Sequence, residues 1–197
     1  MEKLNNQPRC LKKISLSVLL CALWLTIACQ QKTSVKTLKH YSADDISFSY
    51  PENWQVTKDN EIEGGRLLYV EGGDHALMTI TVLPAASDIT LKKYVAMVVS
   101  SRAKAVENKL KVGQFNPMEL DSAKGSDIRR KIAGQTREGI TQSFKLTLLG
   151  VEVPHRASFF MLQDARRRIL LMTQCPEESQ RDADSGFSAV LDSFSID

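Results

Sequence analysis

From Leu91 to Leu110 the apolar residues Leu91, Tyr94, Val95, Val98, Val99, Val106 and Leu110 recur at helical spacing, and Lys92, Lys93, Arg102, Lys104 and Lys109 take other positions. On either side of this stretch the pattern changes to the period of strands. One long amphipathic helix set among many short strands leaves few architectures open. A second helical stretch starts where Pro176 suits a first helical position and Glu177-Glu178 suit the positive end of a helix. It is expected to run to about Leu191 and to bury Phe187, Val190 and Leu191. The order of strands, helix, strands, helix and a last short strand predicts an α+β fold. In it an antiparallel sheet carries helices packed on it, one covering each face or end.

Turn chemistry marks the strands. Asp45-Ile46-Ser47-Phe48-Ser49-Tyr50 alternates polar and apolar, Pro51-Glu52-Asn53 turns, and Trp54-Gln55-Val56 starts a return strand that places Trp54 near the hairpin. Gly64-Gly65 precedes a strand from Arg66 to Glu71, and Gly72-Gly73-Asp74 turns into Ala76–Leu83. Asp88 or Thr90 can cap the long helix. Beyond it, strands are expected over Lys111–Glu119, broken by Pro117, and over Asp127–Gln135. Gly139 then turns into Ile140–Leu149, and Gly150 and Pro154 bracket a loop before His155–Gln163. Asp164–Arg167 turns into Arg168–Thr173, and Ser193–Ile196 closes the chain.

The first thirty residues read as an address. Basic residues ending at Lys12-Lys13 precede Ile14–Ile27, fourteen residues without a charge. A membrane-spanning helix needs about 20 residues, whereas a signal-peptide core is shorter. The core ends in Leu25-Thr26-Ile27-Ala28-Cys29, which resembles a bacterial lipobox, with Thr26 where Leu is usual. Ala28 fits the narrow pocket of a lipoprotein signal peptidase, and the Cys29 thiol would carry the lipid; the competing reading is an uncleaved anchor or a plain secretory signal with an incidental cysteine. The expected organisation is a signal peptide over 1–28, a lipidated Cys29 with a polar tether over 29–40, and a single domain over 41–197. Gln30 after the cysteine implies, by resemblance to sorting rules, the outer membrane of a Gram-negative cell. Cys10 and Cys21 leave with the signal and Cys29 takes lipid, so Cys175 has no partner and is best tolerated buried.

The two ends of the domain carry the more specific motifs. Phe48-Ser49-Tyr50-Pro51-Glu52-Asn53-Trp54 resembles the opening hairpin of the Mog/PsbP-like superfamily, and Ala189–Ile196 is similar to its closing helix and strand. Together with a lipobox, the pattern is most similar to DcrB-type bacterial envelope lipoproteins. The superfamily also contains photosystem II extrinsic proteins and a nuclear-transport factor that binds a small GTPase. It is not defined by a catalytic residue, so the resemblance implies a binding protein and no particular chemistry.

Composition and motifs narrow the function classes. The formal net charge is +3, and Lys3, Arg9, Lys12 and Lys13 against Glu2 in the leader account for all of it. The neutral remainder gives no support to general attraction to nucleic acid. His40, His75 and His155 are widely spaced and form no ligand pair, so no metal or other cofactor is expected. No G-x-S-x-G elbow, phosphate loop or dinucleotide fingerprint occurs, and no catalytic residue is assigned. Two basic runs, Arg129-Arg130-Lys131 and Arg166-Arg167-Arg168, would form a patch for an anionic partner if they met on neighbouring strands. Otherwise they guard strand edges. The expectation is a membrane-anchored lipoprotein facing the periplasm, whose domain binds an envelope protein without catalysis. A lipid or small-molecule binder would instead show an apolar cavity between the long helix and the sheet. An unrecognised hydrolase would show His75 or His155 beside a serine and a carboxylate.

Overall fold

The computed structural model describes residues 37–43, 46–73, 75–109, 118–121 and 124–196. In chain order these form β1 (Leu38–Ala43), β2 (Ile46–Pro51), β3 (Gln55–Ile62), β4 (Gly65–Glu71) and β5 (Leu77–Pro84). Then follow α1 (Leu91–Lys109), β6 (Met118–Leu120), β7 (Lys124–Ile132), β8 (Gln135–Leu148), β9 (Val151–Gln163) and β10 (Arg167–Pro176). A 3-10 turn over Glu177–Ser179 leads into α2 (Gln180–Ser193), and β11 (Ser195–Ile196) ends the fold. The large sheet has the order β3-β4-β5-β10-β9-β8-β6, with β7 paired to the first half of β8. A small sheet has the order β1-β2-β11. Every strand pair is antiparallel.

The α+β architecture expected from the sequence is the one observed. The central strand β10 shows why its run reads as continuously apolar. Ile169 and Leu171 pack under α2, while Leu170 and Met172 face α1, and all four are buried. Phe159 and Phe160 on β9 divide between the two faces in the same way. Because successive side chains point to opposite faces, only a sheet covered on both sides buries such neighbours together. Each large apolar side chain so buried contributes roughly 1.5–3 kcal/mol.

Thr90 caps α1, its Oγ1 accepting from the Lys93 N–H at 3.2 Å. Asp88 instead pairs with Lys93 Nζ at 2.7 Å. Ala183, Gly186, Phe187, Val190 and Leu191 of α2 are buried, which includes the three residues expected.

The structure corrects several boundaries. Pro51–Asn53 does not join a hairpin. It passes the chain from the small sheet to the large one, because β2 pairs β1 and β11 whereas β3 pairs β4. Gly139 is not a turn but a mid-strand residue opposite Phe160. A Cβ there would lie 2.5 Å from the Phe160 ring, so the glycine makes room for an aromatic neighbour. The turn falls at Ala133-Gly134. Pro154 is likewise inside β9, opposite Lys145, and the turn is at Leu149-Gly150. Pro176 ends β10, and α2 starts after the 3-10 turn. β1 opens at Leu38, ahead of Tyr41. Of the strand expected over Lys111–Glu119, residues 111–117 lie outside the described residues, and Met118–Leu120 forms β6.

Candidate functional site: an arginine-lined cleft at one end of the sheet

The β3–β4 turn, the end of β5, the start of β2 and the β9–β10 turn meet at one end of the large sheet. They enclose an open cleft of about 480 Å³. Buried Ile46 and half-buried Val82 and Leu83 give it an apolar lining, and Arg66, Arg166, Arg167 and Glu61 give it charge. Three guanidinium groups line the cleft beside Glu61, and their forked N–H donors suit the oxygens of a carboxylate or phosphate.

Two of the arginines are held in place by carboxylates. Arg66 donates to Asp59 through Nε at 2.7 Å and Nη2 at 2.8 Å, and Nη2 also reaches the Tyr41 hydroxyl at 2.8 Å. Tyr41 donates to Asp59 at 2.8 Å, which joins β1 to β3 and β4. The Arg66 hydrogen bonds hold the Asp59 carboxyl below its ordinary range; burial opposes this and Tyr41 assists. In the β9–β10 turn, Asp164 Oδ1 accepts from the backbone N–H of Arg166 at 2.7 Å and of Arg167 at 2.6 Å. These bonds, with the Arg167 side chain at 3.2 Å, lower the Asp164 pKa, that from Arg166 being the largest cause. The turn is therefore preset, and the Arg167 guanidinium is held at the cleft before any ligand arrives.

The strand order separates the two basic runs. β9 and β8 lie between β10 and β7, so the runs are not on neighbouring strands and do not make the joint patch. Arg166 and Arg167 line the cleft. Arg168 turns away and holds the loop before α1, donating to the carbonyls of Ser87 and, at 2.6 Å, Ile89. Arg129 pairs with Glu138 at 3.1 Å on an exposed edge. Arg130 ties β7 to α2 through Ser188 at 2.7 Å and Asp184 at 3.6 Å. Lys131 is exposed on β7. Ala28 and Cys29 lie outside the described residues.

Arg102 of α1 is half-buried against the sheet. Its guanidinium lies 3.8 Å from the centre of the Phe144 ring and donates to Gln174 at 2.9 Å. Burial pulls its pKa down to about 10. The sequence does carry this signal, because Arg102 stands four residues from both Val98 and Val106 and so shares their inward stripe. Nothing local to Arg66 marks it, since Tyr41 and Asp59 reach it through pairing of distant segments.

The alternative chemistries meet specific outcomes. The interface of α1 with the sheet is filled by Tyr94, Val95, Phe144, Phe159 and Leu170. A second cleft of about 480 Å³ opens beside its first turn, where Leu91, Ile128 and Ile140 give a mainly apolar lining and Asp127, Arg129 and Glu138 add charge. His155 stacks on Phe144 with centroids 5.4 Å apart, and its Nδ1 lies 2.9 Å from the Val153 carbonyl oxygen. Cys175 is buried, as a lone thiol should be, and burial raises its pKa. Among the described residues no three His, Cys, Asp or Glu side chains gather as metal ligands, and no helix is long and apolar enough to cross a membrane.

The mostly antiparallel sheet with its two helices aligns with several solved structures. A PsbP from Synechocystis sp. PCC 6803 aligns with a TM-score of 0.47 and 16% identity, over 87% of this chain and 99% of that one. A structure from Bacteroides thetaiotaomicron aligns with a TM-score of 0.47 and 12% identity over 81% of this chain, which spans 48% of that longer one. LpqN, described as involved in cell envelope biogenesis of Mycobacterium tuberculosis, aligns with a TM-score of 0.37 and 10% identity. That match covers 84% of this chain and 87% of LpqN. No protein-family model matches the chain, and no curated protein does.

Proposed function

We propose that this chain is a lipid-anchored protein of the bacterial envelope, held to a membrane through Cys29, whose folded domain binds another envelope protein without catalysis. The anchor rests on the basic start, the fourteen-residue uncharged core and the Ala28-Cys29 junction. The observation that carries the binding role is the cleft. It presents Arg66 and Arg167, already fixed by Asp59 and Asp164, beside an apolar lining. Fixed donors lose little freedom on binding. An acidic segment of a partner, with an apolar side chain set on Val82 and Leu83, fits this arrangement.

The cleft volume also lies within the range of roughly 300–1,000 Å³ typical of small-ligand sites. A free anionic lipid or metabolite is therefore the second reading. Two experiments separate these ideas. Metabolic labelling with palmitate should mark the wild-type chain and not the Cys29→Ala variant; equal labelling removes the anchor. Cross-linking in cells should capture one defined protein with the wild-type chain and lose it with Arg166→Glu. Capture that ignores the charge reversal removes the cleft as the binding site, and a lipid or metabolite retained in native mass spectrometry favours the second reading.

A further inference from the structure

The turn between β8 and β9 carries apolar residues that the fold itself leaves outside. Leu149 is 72% exposed and Val151 64%. The turn has φ +52 at Leu149 and +82 at Gly150, the left-handed pair that usually selects Asn-Gly. A leucine gains nothing from this backbone conformation and, when exposed, nothing from burial. The similar turn at Ala133-Gly134 has only a small residue at this place and is tied to α2, the Ala133 N–H donating to the Leu191 carbonyl at 3.0 Å. Leu149 is offered outward instead.

Topology says which way. Ala157 of β9 pairs with Gln174 of β10, Gln174 with Leu77 of β5, and Leu77 with Glu71 of β4. This row ends beside Gly72 and Trp54, and there β1 enters the fold: Leu38 pairs with Pro51, and the Glu52 N–H donates to the Thr37 carbonyl at 2.9 Å. The β8–β9 hairpin continues past the row by six residues, about 20 Å. Among the described residues, three of the five exposed large apolar ones, Leu38, Leu149 and Val151, thus lie toward the end where the chain enters from its leader. From Cys29 to Leu38 the chain can span at most about 30 Å.

We infer that the β8–β9 tip is a second membrane contact, with Leu149 and Val151 set into the same bilayer that holds the lipid on Cys29. The inference rests on the anchor reading above. Two side chains fall far short of the roughly 800 Å² per partner of a specific protein interface. A bilayer already held near the tip by a short tether needs no such area.

Bromine on lipid acyl chains quenches an indole that enters them. The full lipidated chain carrying Leu149→Trp, and separately Val151→Trp, is reconstituted into phosphatidylethanolamine–phosphatidylglycerol vesicles with brominated acyl chains. Both introduced indoles should lose at least half their emission relative to unbrominated vesicles, while the wild-type signal from buried Trp54 stays unchanged. A chain that floats with the vesicles but is unquenched at both positions overturns the tip contact and leaves the anchor standing. An indole shielded only when envelope proteins are added also overturns it, in favour of a protein contact. A wild-type chain that fails to float overturns the anchor and the tip contact with it.

Discussion

Gly186 of α2 lies flat against the indole of Trp54. A Cβ built on Gly186 would stand 2.1 Å from Cζ2, and one on Gly72, approaching the same ring, 2.2 Å from Cε2. Phe187 meets the ring edge-on with centroids 5.3 Å apart. Trp54 is thus the wedge that seats α2 on the sheet, and two distant glycines are cut to its thickness.

Gly186→Ala should therefore destabilise the domain despite the helix preference of alanine. Alanine favours an exposed helix by about 1 kcal/mol over glycine, but overpacking a fixed ring costs about 1–3 kcal/mol. The expected net loss is up to about 2 kcal/mol in denaturant unfolding. Gly72→Ala should cost a similar amount, and the double variant less than the sum, because one shift of Trp54 relieves both. Stabilisation by Gly186→Ala would refute the wedge.

Helices and most strands are legible in the sequence because period, caps and turn residues agree within each segment. Thr90, the apolar stripe of α1 and the buried face of α2 are of this kind. Legibility fails where a distant partner decides. Gly139 has the residue type of a turn, and only Phe160 across the strand explains it. Pro154 looks like a strand breaker, yet it sits in a strand opposite Lys145. The basic run at Arg166–Arg168 is visible in the sequence. Its division into two cleft residues and one loop tie depends on which face each residue meets, and Arg66 joins the site only through Tyr41 and Asp59.

Arg102 holds a charge where packing would suffice. Burial depresses its pKa, so keeping it protonated at neutral pH costs stability that its contact with Phe144 partly offsets. Arg102→Met should leave stability within about 1 kcal/mol of wild type or raise it. Arg102→Glu should lose about 2 kcal/mol, since a carboxylate then faces the ring and the Gln174 carbonyl. Thermal unfolding of the pair checks this; equal losses would contradict it.

The Tyr41–Asp59–Arg66 network predicts an acid limb. The folded pKa of Asp59 lies below its unfolded value, so its stabilisation is complete above the unfolded pKa. It is lost as pH falls through the folded one. Because Asp59 is about one-third exposed, the effect at neutral pH should be only about 1 kcal/mol. Asp59→Asn should remove that amount and flatten the stability curve below about pH 4. An unchanged acid limb would show that the pair is not coupled to folding.

Leu149→Asn should stabilise the domain, by about 1 kcal/mol, because asparagine tolerates the left-handed conformation that leucine resists. Denaturant midpoints of the two chains decide it. A loss of stability would mean that Leu149 already packs where it stands.

The most direct test of the central claim is site-specific photo-cross-linking in living cells from the cleft edge. A photoreactive side chain is placed at Ile62, and for comparison at exposed Met97 on α1. The cleft account predicts one defined adduct from position 62, none of that size from position 97, and loss of the adduct with Arg166→Glu. The same adduct from both positions, or an adduct from position 62 that survives the charge reversal, would contradict it.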